Sequence, residues 1–231
     1  MNLKESRMTD EYANPNDLVF YVKYHIKPEF INEFQERLIG VVKNMTQEDS
    51  FVSAFVHQYA EGEGRFSMYE RWTDASKDAF MTYQMEGKAY RKEYEKRLPL
   101  ISETPRKIHL LKPLAYWISA SVKPSENDLI FYVNFHIKPD KLEDWKKAAL
   151  QVLNKMAEED AFVSTFLHQD AEDPSRFTIY ERWNEASMEA FEKNHLNAKE
   201  YRQVYKNMLP DMMQSMRTFR ILEPLGSWIG K

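Results

Sequence analysis

The sequence predicts an α+β protein made of two βαββαβ units packed sheet to sheet within one chain. Three observations carry this expectation. The 231-residue chain repeats itself at a constant offset of 111: Asn16-Asp17-Leu18-Val19-Phe20-Tyr21-Val22 returns as Asn127-Asp128-Leu129-Ile130-Phe131-Tyr132-Val133. Tyr69-Glu70-Arg71-Trp72 likewise returns as Tyr180-Glu181-Arg182-Trp183, and roughly 43 of about 102 paired positions from Asn16 to Trp117 are identical without a gap. Within each copy the apolar spacing switches between a period of two and a helical period. Finally, glycine is scarce at six and cysteine is absent, which argues against phosphate-cradling loops, disulfides, zinc ribbons and thiol nucleophiles.

Leu18 to Lys27 reads as a central strand, apolar on both faces. Pro28 suits a first helical turn. Ile31, Phe34, Leu38, Val41, Val42 and Met45 then recur at helical spacing, as do Leu142, Trp145, Ala149, Val152, Leu153 and Met156 in the second copy. Phe51 to Gln58 alternates as a strand. A polar turn over Glu61-Gly62-Glu63-Gly64, replaced by Glu172-Asp173-Pro174-Ser175, leads to the strand Arg65 to Trp72. Thr73 or Asp74 is expected to cap a long helix reaching about Lys96, with Ala79, Phe80, Tyr83, Tyr90 and Tyr94 inward. Pro99 and Pro105 end that region, and Arg106 to Leu111 is the last strand. This order is the split-βαβ, ferredoxin-like unit, an antiparallel sheet with helices on one face. The other face of such a sheet would stay bare and apolar. A fused second copy covers it at high effective concentration, giving an intrachain pseudo-dimeric α+β barrel. The expected boundaries are an N-terminal extension 1–15, a first domain 16–114, a linker 115–126 and a second domain 127–231.

Lys+Arg 32 against Asp+Glu 36 gives a net charge of −4, so no basic footprint marks a nucleic-acid partner. No apolar run reaches the roughly 20 residues of a membrane helix. The first residues are polar, without a secretory apolar core, which makes the cytoplasm the expected location. The histidines are scattered without metal-ligand spacing, so no metal is expected.

The strings Arg65-Phe66-Ser67-Met68-Tyr69-Glu70-Arg71-Trp72 and Arg176-Phe177-Thr178-Ile179-Tyr180-Glu181-Arg182-Trp183 resemble the third-strand signature of the antibiotic-biosynthesis monooxygenase family. The first strand ending Ile26-Lys27-Pro28 and the strand Phe51-Val52-Ser53 through His57-Gln58 are similar too. The resemblance implies a dimeric α+β barrel with a pocket between sheet and helices in each unit. It also implies one of several activities: cofactor-independent oxygenation of quinols and polyketide anthrones, haem degradation, or small-molecule isomerisation. In oxygenating members the deprotonated aromatic substrate itself activates O2. Such a site needs a proton acceptor, an oxyanion-stabilising donor and a dry cavity. Haem-degrading members use a strand asparagine, a strand tryptophan and a helix histidine. Trp72 and Trp183 fall on that tryptophan. His195, in His195-Leu196-Asn197-Ala198-Lys199-Glu200-Tyr201, falls near the helix histidine, where the first copy has Gln84. Asn134 lies near the asparagine position.

The candidate catalytic residues are therefore His195, His136, His25, Trp183 and Trp72, with Tyr21, Tyr132, Asn134, Tyr201 and Tyr205 as candidate substrate contacts. His25 and His136 share a strand face with Tyr21 and Tyr132. They suit quinol deprotonation or, equally, a hydrogen-bonded place in the sheet. The tryptophans either wall an aromatic substrate or fill the core. Glu70 and Glu181 on an apolar face need a partner, for which Arg106 and Arg217 are the expected arginines. His57 and His168 are expected on an edge strand, at the surface or an interface. Three functions remain open: an O2-dependent monooxygenase of a small aromatic substrate needing no cofactor, a non-catalytic binding barrel whose first half is a structural mate, and a haem-binding protein. Self-association beyond the pseudo-dimer is also left open.

Overall fold

A computed structural model describes residues 14–230 of the protein. The expected extension 1–15 therefore lies almost wholly outside the described residues. The first repeat runs β1 (Leu18–Ile26), α1 (Ile31–Met45), β2 (Phe51–Tyr59), β3 (Arg65–Trp72), α2 (Lys77–Phe80), α3 (Ala89–Ile101) and β4 (Ser102–Ile118). The second runs β5 (Leu129–Ile137), α4 (Leu142–Met156), β6 (Phe162–Asp170), β7 (Arg176–Trp183), α5 (Met188–Phe191), α6 (Glu200–Met212) and β8 (Met213–Ile229). The hydrogen-bonded strand order is β1-β3-β2-β8-β5-β7-β6-β4 and closes on itself, the α+β barrel that the repeat predicts. No helix among the described residues is long and apolar enough to cross a membrane.

Two compact units divide the chain. Of the described residues, one holds 14–112 and 223–230 and the other 113–222. The terminal strands are thus longer than the expected Arg106–Leu111, and residues 115–118, placed in the linker by sequence, are strand. Their apolar side chains explain the extension: Trp117 is 7% exposed and donates from Nε1 to Asn154 Oδ1 at 2.8 Å. The far end of β8 pairs with β2, as in the bond from Gly230 N to Val52 O. Strand β2 is consequently no edge, and His57 is 1% exposed instead of at the surface; His168 on β6 is buried to the same degree.

In the first unit Phe20, Val22, Tyr24 and Ile26 of β1 face α1 and α3 and build one core. The alternate residues Tyr21, Lys23 and His25 take the other face. The second unit repeats this with Phe131, Val133, Phe135 and Ile137. The expected long helix is broken. Ser76 Oγ accepts from Ala79 N and Ser187 Oγ from Ala190 N, so these serines are the caps and not Thr73 or Asp74. Each short helix then widens into a π-helical turn, Met81–Glu86 or Glu192–Leu196. The extra residue shifts the phase of every side chain that follows. Ser187→Ala should cost about 1 kcal/mol of unfolding free energy; equal urea midpoints for the variant and the natural protein would refute the cap.

Each β1/β4 and β5/β8 ladder carries a bulge. Phe135 lies between Asn134, paired with Thr218, and His136, paired with Ser215. Met216 and Arg217 together therefore oppose one residue. In the first unit Pro105 and Arg106 occupy the equivalent bulge, opposite Tyr24. Bulges re-aim side chains, and here the aimed side chain is an arginine.

Candidate functional site

Alternation along β7 directs Phe177, Ile179, Glu181 and Trp183 to the helical side of the sheet. In the second unit this side is incompletely filled. A cavity of about 320 Å³ lies between β5, β7 and β8 below and α4, α6 and the π-turn above. One part of its wall is apolar, with Phe131, Val133, Ile179, Met156, Phe191 and Phe219 among the side chains. The other part is polar: Glu181, Arg202, Gln203, Tyr205, Lys206 and Arg217, with Glu192 and Asn197 beside the π-turn.

Glu181 accepts a 3.1 Å hydrogen bond from Trp183 Nε1 on Oε2. Burial pushes its carboxyl above the usual range, an effect that Arg202, the indole N–H and Arg217 only partly offset. The expected partner, Arg217, thus contributes, but Arg202 acts more strongly. In the first unit Arg91 approaches Glu70 to 3.9 Å and Trp72 Nε1 donates at 3.0 Å, while Arg106 is taken by Glu95. The tyrosine–arginine pairs Tyr90-Arg91 and Tyr201-Arg202 recur in both copies, which was the sequence signal for these arginines.

Behind the cavity stands a bracing layer. Arg202 lies 4.8 Å above the Trp183 ring and donates from Nε and Nη2 to Glu159 Oε1 at 3.1 and 3.0 Å. Burial disfavours the Glu159 anion, but the Tyr201 hydroxyl, Arg202 and His195 outweigh it and hold the carboxyl below its usual range. His195 is buried, with Nδ1 on Glu159 Oε2 and Nε2 2.7 Å from Glu185 Oε1. Its ring lies 4.9 Å from Trp183 and 5.3 Å from Phe191.

The predicted residues therefore separate into three places. Tyr205 lines the cavity, with its hydroxyl buried beside the Trp145 indole. Trp183, His195 and Tyr201 form the layer behind it, and Trp183 is 0% exposed, so it backs the cavity without walling it. His136, Tyr132 and Asn134 lie on the opposite face of β5, where Asn134 Nδ2 donates to Thr218 Oγ1 at 3.1 Å and Ser215 Oγ is 3.4 Å from His136 Nδ1. His136 and Trp183 do not share a site. In the first unit Tyr21 and His25 take the corresponding face, and the Tyr21 and Tyr59 hydroxyls are 3.4 Å apart. Trp72 is fully buried.

Beneath the helices the first unit is more closely packed than the second, with Glu70 and Tyr94 buried where Glu181 and Tyr205 are half-buried. Tyr24 stands where the second unit has Phe135, next to Tyr94, and both are buried in the core. Arg106 closes over them with two hydrogen bonds to Glu95, at 2.6 and 2.8 Å. Gln84, at the His195 position, donates to Ser50 Oγ at 2.8 Å. Glu70 is left only 4% exposed.

These elements define an α+β barrel protein with a cavity in its second unit, where Glu181 faces arginines. The sequence profile of the antibiotic biosynthesis monooxygenase family matches residues 18–85 and again 129–207, and the chain belongs to that family. No curated protein matches it. Among solved structures, a candidate monooxygenase from Fusobacterium nucleatum is similar over 92% of this chain and 94% of its own, with a TM-score of 0.78 and 14% identity. One from Lactobacillus acidophilus covers 93% and 96%, with a TM-score of 0.71 and 16% identity. An anthrone oxidase-like protein covers 93% of each chain, with a TM-score of 0.66 and 12% identity. These likenesses establish a shared fold.

Haem does not fit the residues present. Both nitrogens of His195 are engaged by carboxylates, so neither lone pair is directed at an iron. Asn134 is on the wrong face of β5 to meet a group held beside Trp183.

Proposed function

We propose that the protein is a monooxygenase that oxidises a small aromatic, quinol-like or anthrone-type substrate with O2 in the cavity of the second unit, within the cytoplasm. The observation that carries this reading is Glu181, a carboxyl with raised pKa on an apolar cavity wall, facing Arg202 and Arg217. A raised carboxyl is a stronger base when ionised and sits nearer the operating pH. Glu181 takes a proton from the substrate, and the arginines and the Tyr205 hydroxyl stabilise the resulting oxyanion. The electron-rich carbanion or phenolate then supplies the electrons that reduce O2.

For an anthrone, the methylene carbon becomes a carbonyl. One atom of O2 enters that carbon, and the other leaves as water with the two hydrogens removed. The carbon loses four electrons and O2 gains four, so no reductant is consumed. The apolar walls exclude water from the anionic intermediate. The first unit, closed by Tyr24, Tyr94 and the Arg106–Glu95 pair, is the structural mate. An oxygen electrode with a panel of anthrones and quinols tests the reading. Consumption stoichiometric with one panel member supports it, and consumption of none overturns it.

A further inference from the structure

The two units differ most sharply at the cavity mouth. In the first, Glu95 on α3 neutralises Arg106 in the β4 bulge with a bidentate pair. In the second, the same two positions hold Lys206 on α6 and Arg217 in the β8 bulge, two cations lining one opening. Neither forms a hydrogen bond or a salt bridge with another described residue. Nothing therefore ties α6 to the β8 bulge as the Glu95–Arg106 pair ties α3 to the β4 bulge. Glu192, which also lines the cavity, pairs with neither. Farther in, the Tyr205 hydroxyl is buried beside the Trp145 indole, and Arg217 lies close enough to it and to Glu181 to act on both. The second unit therefore has an aromatic-lined interior, a buried tyrosine hydroxyl within it and, at its rim, two cations that no salt bridge ties down.

We infer that this cavity selects an aromatic ligand bearing a carboxylate, whose ring enters the apolar interior while Arg217 and Lys206 hold its anionic group at the mouth. Arg217 supplies the planar fork that matches a carboxylate, and Lys206 a mobile point charge. The inference rests on the proposed function only in placing the aromatic ring in this cavity. It adds the substrate class, an aromatic acid instead of a neutral aromatic.

Fluorescence titration with two probes of nearly equal shape tests it, anthracene-9-carboxylate and 9-(hydroxymethyl)anthracene. The natural protein should bind the carboxylate at least about tenfold more tightly than the neutral alcohol. Lys206→Glu recreates the pair of the first unit, and Arg217→Gln removes the fork; both positions are exposed. Lys206→Glu should abolish the preference while the neutral probe binds as before, and Arg217→Gln should weaken the carboxylate far more than the neutral probe. Equal affinities for the two probes, or a preference untouched in both variants, would overturn the inference and leave the cavity reading standing. Binding of neither probe would overturn both.

Discussion

Glu181→Gln is expected to lower the rate of oxygen consumption by roughly 100-fold or more, the usual contribution of a positioned general base. Glutamine preserves the shape and still accepts the Trp183 indole N–H, so the fold should persist. The pH behaviour separates a base from a mere packing role. The active form is the carboxylate, and burial raises its pKa; kcat/KM should therefore rise with pH through that raised value and then level off. In the glutamine variant this limb should vanish along with most of the rate. Stability carries the opposite sign. A carboxyl whose folded pKa is raised favours the fold below its unfolded pKa, and that contribution is lost as pH rises through the folded value. Glutamine never ionises, so the variant should unfold at higher urea than the natural protein near neutral pH. A variant that keeps its rate, or that is less stable at neutral pH, would remove Glu181 from the proposed role.

Asp128→Ala should destabilise the fold by about 3–5 kcal/mol, the range for breaking a buried ion pair by removing one partner. Arg182 Nε donates to Asp128 Oδ2 at 2.7 Å, and their side chains are only 4% and 1% exposed. Asp128 Oδ2 also accepts from Ser125 N, and Arg182 Nη2 reaches Ser125 O, so the pair ties the start of β5 to β7. Asp17 and Arg71 repeat it at 2.8 Å in the first unit. The double change Asp128→Leu with Arg182→Met should be less harmful than Asp128→Ala alone, because it leaves no buried cation. Urea unfolding followed by tryptophan fluorescence measures both; a loss below about 1 kcal/mol for Asp128→Ala would contradict the pair's structural role.

Most of the fold was legible because the repeat and the two periodicities are local and mutually consistent. The alternation over Arg176 to Trp183 correctly places Glu181 with Ile179 and Trp183. The extended ends of β4 and β8 were not legible, since their partners are strands more than forty residues away in sequence. For the same reason His57 looked like an edge residue when β8 in fact pairs along β2. The site was only half readable. An acid on an apolar strand face marked Glu181, yet its stronger arginine comes from a helix whose phase depends on the π-turn at Glu192–Leu196. An unbroken α-helix from Thr73 or Asp74, carried over to the second copy, misplaces everything beyond that turn. His195 stood out by its family position, but its two carboxylate partners, Glu159 and Glu185, come from loops that no periodicity marks. Two substitutions between the copies, Lys206 for Glu95 and Phe135 for Tyr24, distinguish the two units at this place.

The most direct test of the central claim is oxygen transfer under isotopically heavy O2. The purified protein would be given an anthrone of the panel, in buffer of ordinary water and with no added cofactor, and the product analysed by mass spectrometry. One heavy atom is expected in each quinone formed, with the yield largely lost in Glu181→Gln. Product oxygen drawn from water, or an equal yield in Glu181→Gln, would contradict that claim.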